Sequence, residues 1–134
     1  MAQNQSVEKF KRLTEDLKQE VRDAAIDELN KQAKDLADLI RFVAPVDEGG
    51  LKHSVGVIPS SKGPTQVRVI AGGRLTVRPS VSSKPYDYAR ADEFGTVNMP
   101  AHPFFFPTYR LRKKKIIAEM KKRIRANIKA RSAE

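Results

Sequence analysis

The sequence predicts an α+β fold with a long N-terminal helix, a small antiparallel β-sheet and a basic amphipathic C-terminal helix. Apolar residues recur at three- and four-residue steps through residues 6–44, a spacing typical of an amphipathic helix. Two short runs rich in Val and Ile alternate apolar and polar residues in mid-chain, which indicates strands. The helical spacing returns in residues 108–131. A chain of 134 residues is of a size that forms one domain.

The N-terminal helix is expected over residues 6–44. Ser6 is a candidate N-cap, and Pro45 stops helix propagation at the residue before it. A helix of this length spans about 55 Å, which is more than a small domain covers on one face. We therefore expect part of its apolar stripe, including Leu17 and Val21, to contact another subunit. The alternative is a helix that bends or breaks and packs wholly within its own domain.

A β-rich body is predicted over residues 45–107. Pro45 and the pair Gly49-Gly50 favour a turn at its start. Residues 54–58 and 66–70 alternate apolar and polar positions on either side of the turn-forming sequence PSSKGPT. This pattern predicts an antiparallel hairpin with one buried face.

The rest of the body contains two ambiguous segments and one aromatic run. Residues 72–85 are polar and basic, which suits either a loop or arm or a long hairpin. Residues 86–94 are compatible with a strand or with a helical turn. Phe104–Phe106 lie between Pro103 and Pro107, and each proline disfavours helix at the residue before it. The aromatic run is therefore expected to be extended, with the C-terminal helix beginning after it.

The formal net charge of +10 is concentrated at the C-terminal end. Residues 1–44 carry a net charge of −1, residues 45–85 carry +4, residues 86–107 carry −2, and residues 108–134 carry +9 from 11 basic and 2 acidic side chains. Such an excess indicates a polyanionic neighbour, either nucleic acid phosphate contacted without sequence readout or an acidic protein surface. A solvated helix face is the alternative. The candidate contacts are Lys113, Lys114, Lys115, Lys121, Lys122, Arg123 and Arg125.

No signature of catalysis, metal binding or a cofactor is present in the sequence. The chain has no cysteine, which excludes disulfides and thiolate ligands. His53 and His102 do not fall in a metal-spaced motif, and the Gly-Gly pairs lack the lysine of a phosphate loop. No apolar run approaches the roughly 20 residues that span a bilayer. We expect a protein that is not an enzyme, has no cofactor and no membrane contact, and is soluble and cytosolic when made.

The adjacent carboxylates Asp92 and Glu93 are not expected to act as an acid-base pair. Neighbouring side chains point to opposite faces of a strand or lie about 100° apart on a helix, so the two carboxylates do not converge. Glu93 is expected to be a structural carboxylate that binds backbone amides or an Arg of a neighbouring subunit.

Two motifs resemble those of a known family. The first is a proline followed by a threonine-glycine-x-leucine-x-x-serine turn, in which Glu48 stands where threonine is usual. The second is an alanine-x-x-x-glutamate-phenylalanine-glycine-threonine segment followed by methionine-proline-alanine and proline-phenylalanine-x-x-proline. With the order of predicted elements, they resemble the bacteriophage tail-component family typified by gene product ten of phage HK ninety-seven. The residues are Pro45, Gly49, Leu51 and Ser54, then Ala89, Glu93, Phe94, Gly95, Thr96, Met99, Pro100, Ala101, Pro103, Phe104 and Pro107.

This resemblance implies a structural subunit without catalytic activity, located in the neck or tail region of the virion. Six or twelve copies would form a ring in the head-to-tail connector, joining a DNA-filled capsid to the tail and contacting other connector and tail proteins and packaged DNA. Phe104–Phe106 would pack at a subunit boundary with at least one ring buried, Phe94 would lie in the core, and Gly95 would adopt a conformation closed to other residues. A sequence-independent DNA-binding protein of nucleoid type is the alternative that the basic C-terminal segment supports.

Overall fold

The structure, a computed structural model, describes residues 2–46, 49–78 and 86–132. In the part of the chain that the structure describes, the strands form two separate two-stranded antiparallel sheets rather than one small sheet. Helices and antiparallel strands together confirm the predicted α+β class. In chain order the elements are α1 (Ala2–Val43), α2 (Gly50–Ser54), β1 (Gly56–Pro59), β2 (Val67–Ile70), a 3-10 turn (Arg74–Thr76), β3 (Val77–Arg78), β4 (Tyr86–Asp87), α3 (Tyr88–Phe94) and α4 (Phe106–Ser132).

The helix α1 is one continuous element of 42 residues, about 63 Å long. It begins at Ala2, so Ser6 lies inside the helix and the prediction that Ser6 caps it is wrong. Its end agrees with the prediction, because the Ala44 amide donates to the Ile40 carbonyl at 2.9 Å and Pro45 has no amide hydrogen to continue the ladder.

The hydrophobic core lies against the C-terminal half of α1. Leu36, Ala37 and Ile40 of α1 are buried together with residues from α2, α3 and the segment before α4. The remaining members of this cluster are Ala44, Leu51, Val55, Ala89 and Phe104. The N-terminal half of α1, before Ala24, contributes no buried residue among those whose side chains the structure describes. The core therefore holds one end of α1 and leaves the other end exposed.

The helix α4 begins beside this core and runs back along α1. Ile116 packs against the core cluster, and a half-buried stripe continues along α4 to Asn127. The helix starts at Phe106, two residues before the predicted start, with Pro107 in its first turn. The prediction that all of Phe104–Phe106 is extended is therefore wrong for Phe106, which is helical.

The predicted hairpin is confirmed, with Gly56 paired to Ile70 and Pro59 paired to Val67. Both ambiguous segments contain regular structure. Residues 86–94 form a short strand followed by a helix, and that strand pairs with Val77–Arg78. Residues 79–85 of the expected loop or arm lie outside the described residues.

Candidate assembly site

The buried carboxylate of Glu93 holds the start of α4. Glu93 Oε2 accepts hydrogen bonds from the amides of Phe104 at 2.8 Å and Phe105 at 2.9 Å, and Oε1 accepts from the amide of Phe106 at 2.9 Å. These amides lie at the helix N-terminus, where backbone donors lack intrahelical partners and a negative charge is stabilising. The prediction that Glu93 binds backbone amides is confirmed, and the interaction joins α3 to α4.

A second carboxylate, Asp87, organises the approach to α3. Asp87 Oδ1 accepts from the Ala89 amide at 2.9 Å, which caps the helix, and from Thr76 Oγ1 at 2.5 Å. Its Oδ2 accepts from the Gly73 amide at 3.1 Å. Asp87 therefore ties the 3-10 turn to the strand and helix that carry Glu93. This role of Asp87 was not predicted from the sequence, although an Asp directly before a helical segment is an N-cap signal.

The chain after α3 folds back over that helix through Gly95. Gly95 has φ 75° and ψ 172°, a region that is essentially open only to glycine, and its amide donates to the Ala91 carbonyl at 2.7 Å. Thr96 and Met99 then pair through an isolated bridge, and the His102 amide donates to the Asp92 carbonyl at 2.6 Å. This turn delivers the phenylalanines back to Glu93.

Replacing Gly95 with alanine should destabilise the fold by about 2 kcal/mol. Besides the positive φ, an added Cβ would lie 2.9 Å from the Ala101 amide nitrogen, so the backbone would have to shift. The free energy of unfolding from a urea titration measures the loss. Gly56→Ala is the matched control, because a Cβ there would meet no atom within 4 Å. Equal small losses in both variants would contradict a conformational requirement at Gly95.

The four phenylalanines around this carboxylate line a cavity of about 280 Å³, which we name the Phe groove. Phe104 is 3% exposed and joins the groove to the core, whereas Phe94 is 64% and Phe106 47% exposed. The ring centroids of Phe105 and Phe106 are 5.3 Å apart, and those of Phe94 and Phe106 are 6.0 Å apart. The full lining consists of Ala71, Asp87, Ala89, Arg90, Glu93, Phe94, Phe104, Phe105 and Phe106.

The outward position of Phe94 overturns the expectation that it lies in the core. The helix α3 buries Ala89, Ala91 and Glu93 instead. Phe94 follows Glu93 directly, and successive helical side chains differ in direction by about 100°, so burying the carboxylate turns the ring towards the surface. The expectation that at least one of Phe104–Phe106 is buried is confirmed by Phe104.

A second exposed apolar surface lies at the opposite end of α1. We name residues 5–13 the α1 tip; its apolar side chains Val7, Phe10 and Leu13 are 53%, 71% and 68% exposed. The predicted interface residue Leu17 follows the tip and is 38% exposed, while Val21 is half-buried. The exposed apolar stripe thus extends from the tip towards the part of α1 that is buried.

The residues of the first sequence motif stabilise the hydrophobic core rather than form an exposed surface. Gly49 precedes α2 with φ 85°, and Leu51 is 2% exposed in the core. Ser54 Oγ donates to the Leu51 carbonyl at 2.6 Å and accepts from the Gly72 amide at 2.9 Å, which links α2 to the chain after β2. Arg41 of α1 donates from Nη2 to the Val55 carbonyl at 2.7 Å. The prolines of the motifs differ in exposure, since Pro45 and Pro107 are half-buried and Pro100 and Pro103 are exposed.

The seven basic candidates on α4 are all exposed, but they do not share one face. Lys114, Lys121 and Arg125 have the spacing i, i+7, i+11, which places them on the side of α4 opposite the half-buried stripe. Lys113 and Arg123 lie at other angles around the helix. The basic surface is therefore a band with three aligned charges rather than a single cluster.

The described residues contain no group of three or more His, Asp or Glu side chains placed to hold a metal ion. Within the same ranges, no helix has the length and apolar character needed to cross a membrane. The structure thus brings together the Phe groove and the Glu93 carboxylate, and it leaves the α1 tip and the basic band of α4 as separate exposed surfaces.

A comparison with protein families gives a match over residues 8–95 to a family described as "Bacteriophage HK97-gp10, putative tail-component". The matched range runs from within the α1 tip to Gly95 and includes Asp87 and Glu93, but it ends before the phenylalanines that Glu93 holds. No curated protein and no solved structure matches the chain. The match confirms the resemblance seen in the motifs, and the chain belongs to the HK97-gp10 family of bacteriophage tail components.

Proposed function

We propose that this tail component is a structural subunit of the head-to-tail connector of a long-tailed bacteriophage, where a ring of six or twelve copies joins the DNA-filled capsid to the tail. A phage tail component is located in the virion; the neck position is part of the proposal. The observation that carries it is the presence of two exposed apolar surfaces, the Phe groove and the α1 tip, on one small chain. Exposed apolar patches of this kind mark protein interaction sites.

The interface residues divide by burial. Phe105, Phe106, Leu17 and Val21 are partly or well exposed and would contact a neighbouring subunit directly. Glu93 and Phe104 are buried, so they would shape the groove rather than contact a neighbour.

The proposed role is not catalytic and needs no cofactor. Support comes from Glu93, the buried carboxylate of the largest aromatic cluster, whose two oxygens already accept three backbone hydrogen bonds. A carboxylate engaged in this way is positioned to hold structure rather than to exchange protons with a substrate. The partners would be further copies of the chain and other connector and tail proteins.

The basic band of α4 suits a ring near packaged DNA. Its aligned cations Lys114, Lys121 and Arg125 are exposed and lie away from α1. Contacts of this type are made to phosphate, carry no sequence information and weaken with salt. They would assist the passage or retention of DNA without providing the main binding energy of the assembly.

The absolute mass of the purified protein, measured by light scattering at low and high salt with and without short duplex DNA, tests this proposal. We expect a six- or twelve-fold mass that resists salt, because apolar contacts are not screened, and DNA binding that is weak by comparison. A persistent monomer would contradict ring formation by the chain. Stoichiometric DNA complexes that dissociate with salt would instead favour the sequence-independent DNA-binding protein, for which the +9 charge of residues 108–134 is the supporting observation.

A further inference from the structure

We infer that the α1 tip of one copy docks in the Phe groove of the next copy. This inference rests on the proposed ring and names the two surfaces that meet in it. The tip near the N-terminus of one copy is the inserted surface, and the groove lined by residues between Ala71 and Phe106 of the next copy receives it.

The α1 tip is out of reach of the groove of its own chain. Leu36 of α1 and Phe104 of the groove belong to the same core cluster, which fixes the groove beside that part of the helix. Leu13 precedes Leu36 by 23 residues of continuous helix, a distance of about 35 Å. A tip that docks in a Phe groove must therefore use the groove of another molecule.

The tip and the groove are both rich in apolar side chains, and the groove has room for part of the tip. Val7, Phe10 and Leu13 recur every three residues along a helix, the arrangement in which an amphipathic helix lays apolar anchors into a groove. The groove has a volume of about 280 Å³. That is just below the range of about 300–1,000 Å³ found for drug-sized ligands, so it suits one or two apolar side chains.

The tip and the groove also match in charge. Residues 5–13 hold three basic side chains and one acidic, a net charge of +2, whereas the groove lining holds the acidic Asp87 and Glu93 and the basic Arg90, a net charge of −1. Docking tip into groove brings opposite charges together, which favours association and suppresses wrong pairings. Two tips meeting each other would place +2 against +2.

Because the tip of one copy meets a different surface on the next copy, the contact determines the symmetry of the assembly. A contact in which one surface meets another on the next copy is heterologous, and it generates a ring when the rotation between successive copies closes. A pairing of identical tips would be isologous and would stop at a dimer. Tip-to-groove docking is thus the contact that produces the proposed ring, with both apolar surfaces covered in every copy.

Disulfide trapping tests the contact directly, because the natural chain has no cysteine. Leu13→Cys places a thiol on the tip, and Arg90→Cys places one on the groove lining while all four phenylalanines remain. We expect an equal mixture of the two variants, treated with a mild thiol oxidant, to form the mixed dimer on a nonreducing gel. The rate should exceed by about tenfold or more that of a mixture of Leu13→Cys with the control Val97→Cys, whose side chain is fully exposed but outside the groove lining.

The outcomes separate the inference from the proposed function. A salt-resistant oligomer in which the Val97→Cys mixture reacts as fast, or in which Leu13→Cys reacts mainly with itself, would overturn tip-to-groove docking and leave the ring in place. A monomer that forms none of these disulfides would overturn both. Leu13→Glu gives a second readout: it should weaken self-association about tenfold or more while the helical circular dichroism stays unchanged, since the Leu13 side chain is exposed. Unchanged association would contradict the inference.

Discussion

Replacing Glu93 with alanine should lower the free energy of unfolding by about 3–5 kcal/mol. The change removes three hydrogen bonds to a charged acceptor and leaves the buried Phe104 amide without a partner. It also removes the negative charge at the start of α4. Domains of ordinary stability have about 5–15 kcal/mol in total, so this variant should lose a large fraction of its stability. Urea titration followed by circular dichroism measures the loss.

Two further variants determine whether the carboxylate itself is responsible. Glu93→Gln keeps the size and one acceptor oxygen but turns an NH₂ donor towards backbone donors, so a loss of about 2 kcal/mol is expected. Glu8→Gln removes the same charge from an exposed position of α1 and should change the stability by less than about 0.5 kcal/mol. A Glu93→Gln protein as stable as the parent would show that the amides find other partners.

Replacing Phe104 with alanine should cost about 3–5 kcal/mol, because the ring is 3% exposed and packs in the core cluster with Leu36 and Ile40. Phe106→Ala, at a ring that is 47% exposed, should cost about 1 kcal/mol or less while weakening self-association. Thermal or urea unfolding gives the first quantity and light scattering the second.

The two variants, Phe104→Ala and Phe106→Ala, separate two roles that the sequence places on phenylalanines two positions apart. If Phe104→Ala lowered association without lowering stability, the Phe104 side chain would belong to the subunit interface, and its assignment to the core would be wrong. If Phe106→Ala destabilised the fold as strongly as Phe104→Ala, the groove would be part of the core rather than a docking surface.

Local signals in the sequence were sufficient for the long elements. The apolar spacing of residues 6–44 predicted α1, and the alternating Val and Ile residues predicted the hairpin whose register the structure gives. The start of α1 was missed because Ser6 is a good N-cap but the residues before it contain no helix breaker, and Ala and Gln favour the helix. A residue that can cap a helix marks a position where a helix can begin, but the helix can also begin before that residue.

The start of α4 could not be read from local sequence because a distant residue sets it. Pro107 disfavours helix at Phe106, but the Phe106 amide donates to Glu93, 13 residues earlier, at 2.9 Å. That long-range hydrogen bond stabilises the first turn. The exposure of Phe94 has the same origin, because burying Glu93 against these amides determines which side of α3 faces inward. The sequence predicted the role of the carboxylate but not its consequences for its neighbours.

Because α1 is continuous, its length determines the distance between the core and the α1 tip. Because the core holds its C-terminal half and no break separates that half from the tip, the number of residues between them determines how far the tip stands from the body. If the tip docks as inferred, the spacing of neighbouring subunits is encoded by a residue count, at about 1.5 Å per residue, and their relative rotation by the same count, at about 100° per residue. The length of α1 and the rotational position of its tip would then determine the dimensions of the assembly. The side chains of the Phe groove would determine only whether neighbouring subunits bind.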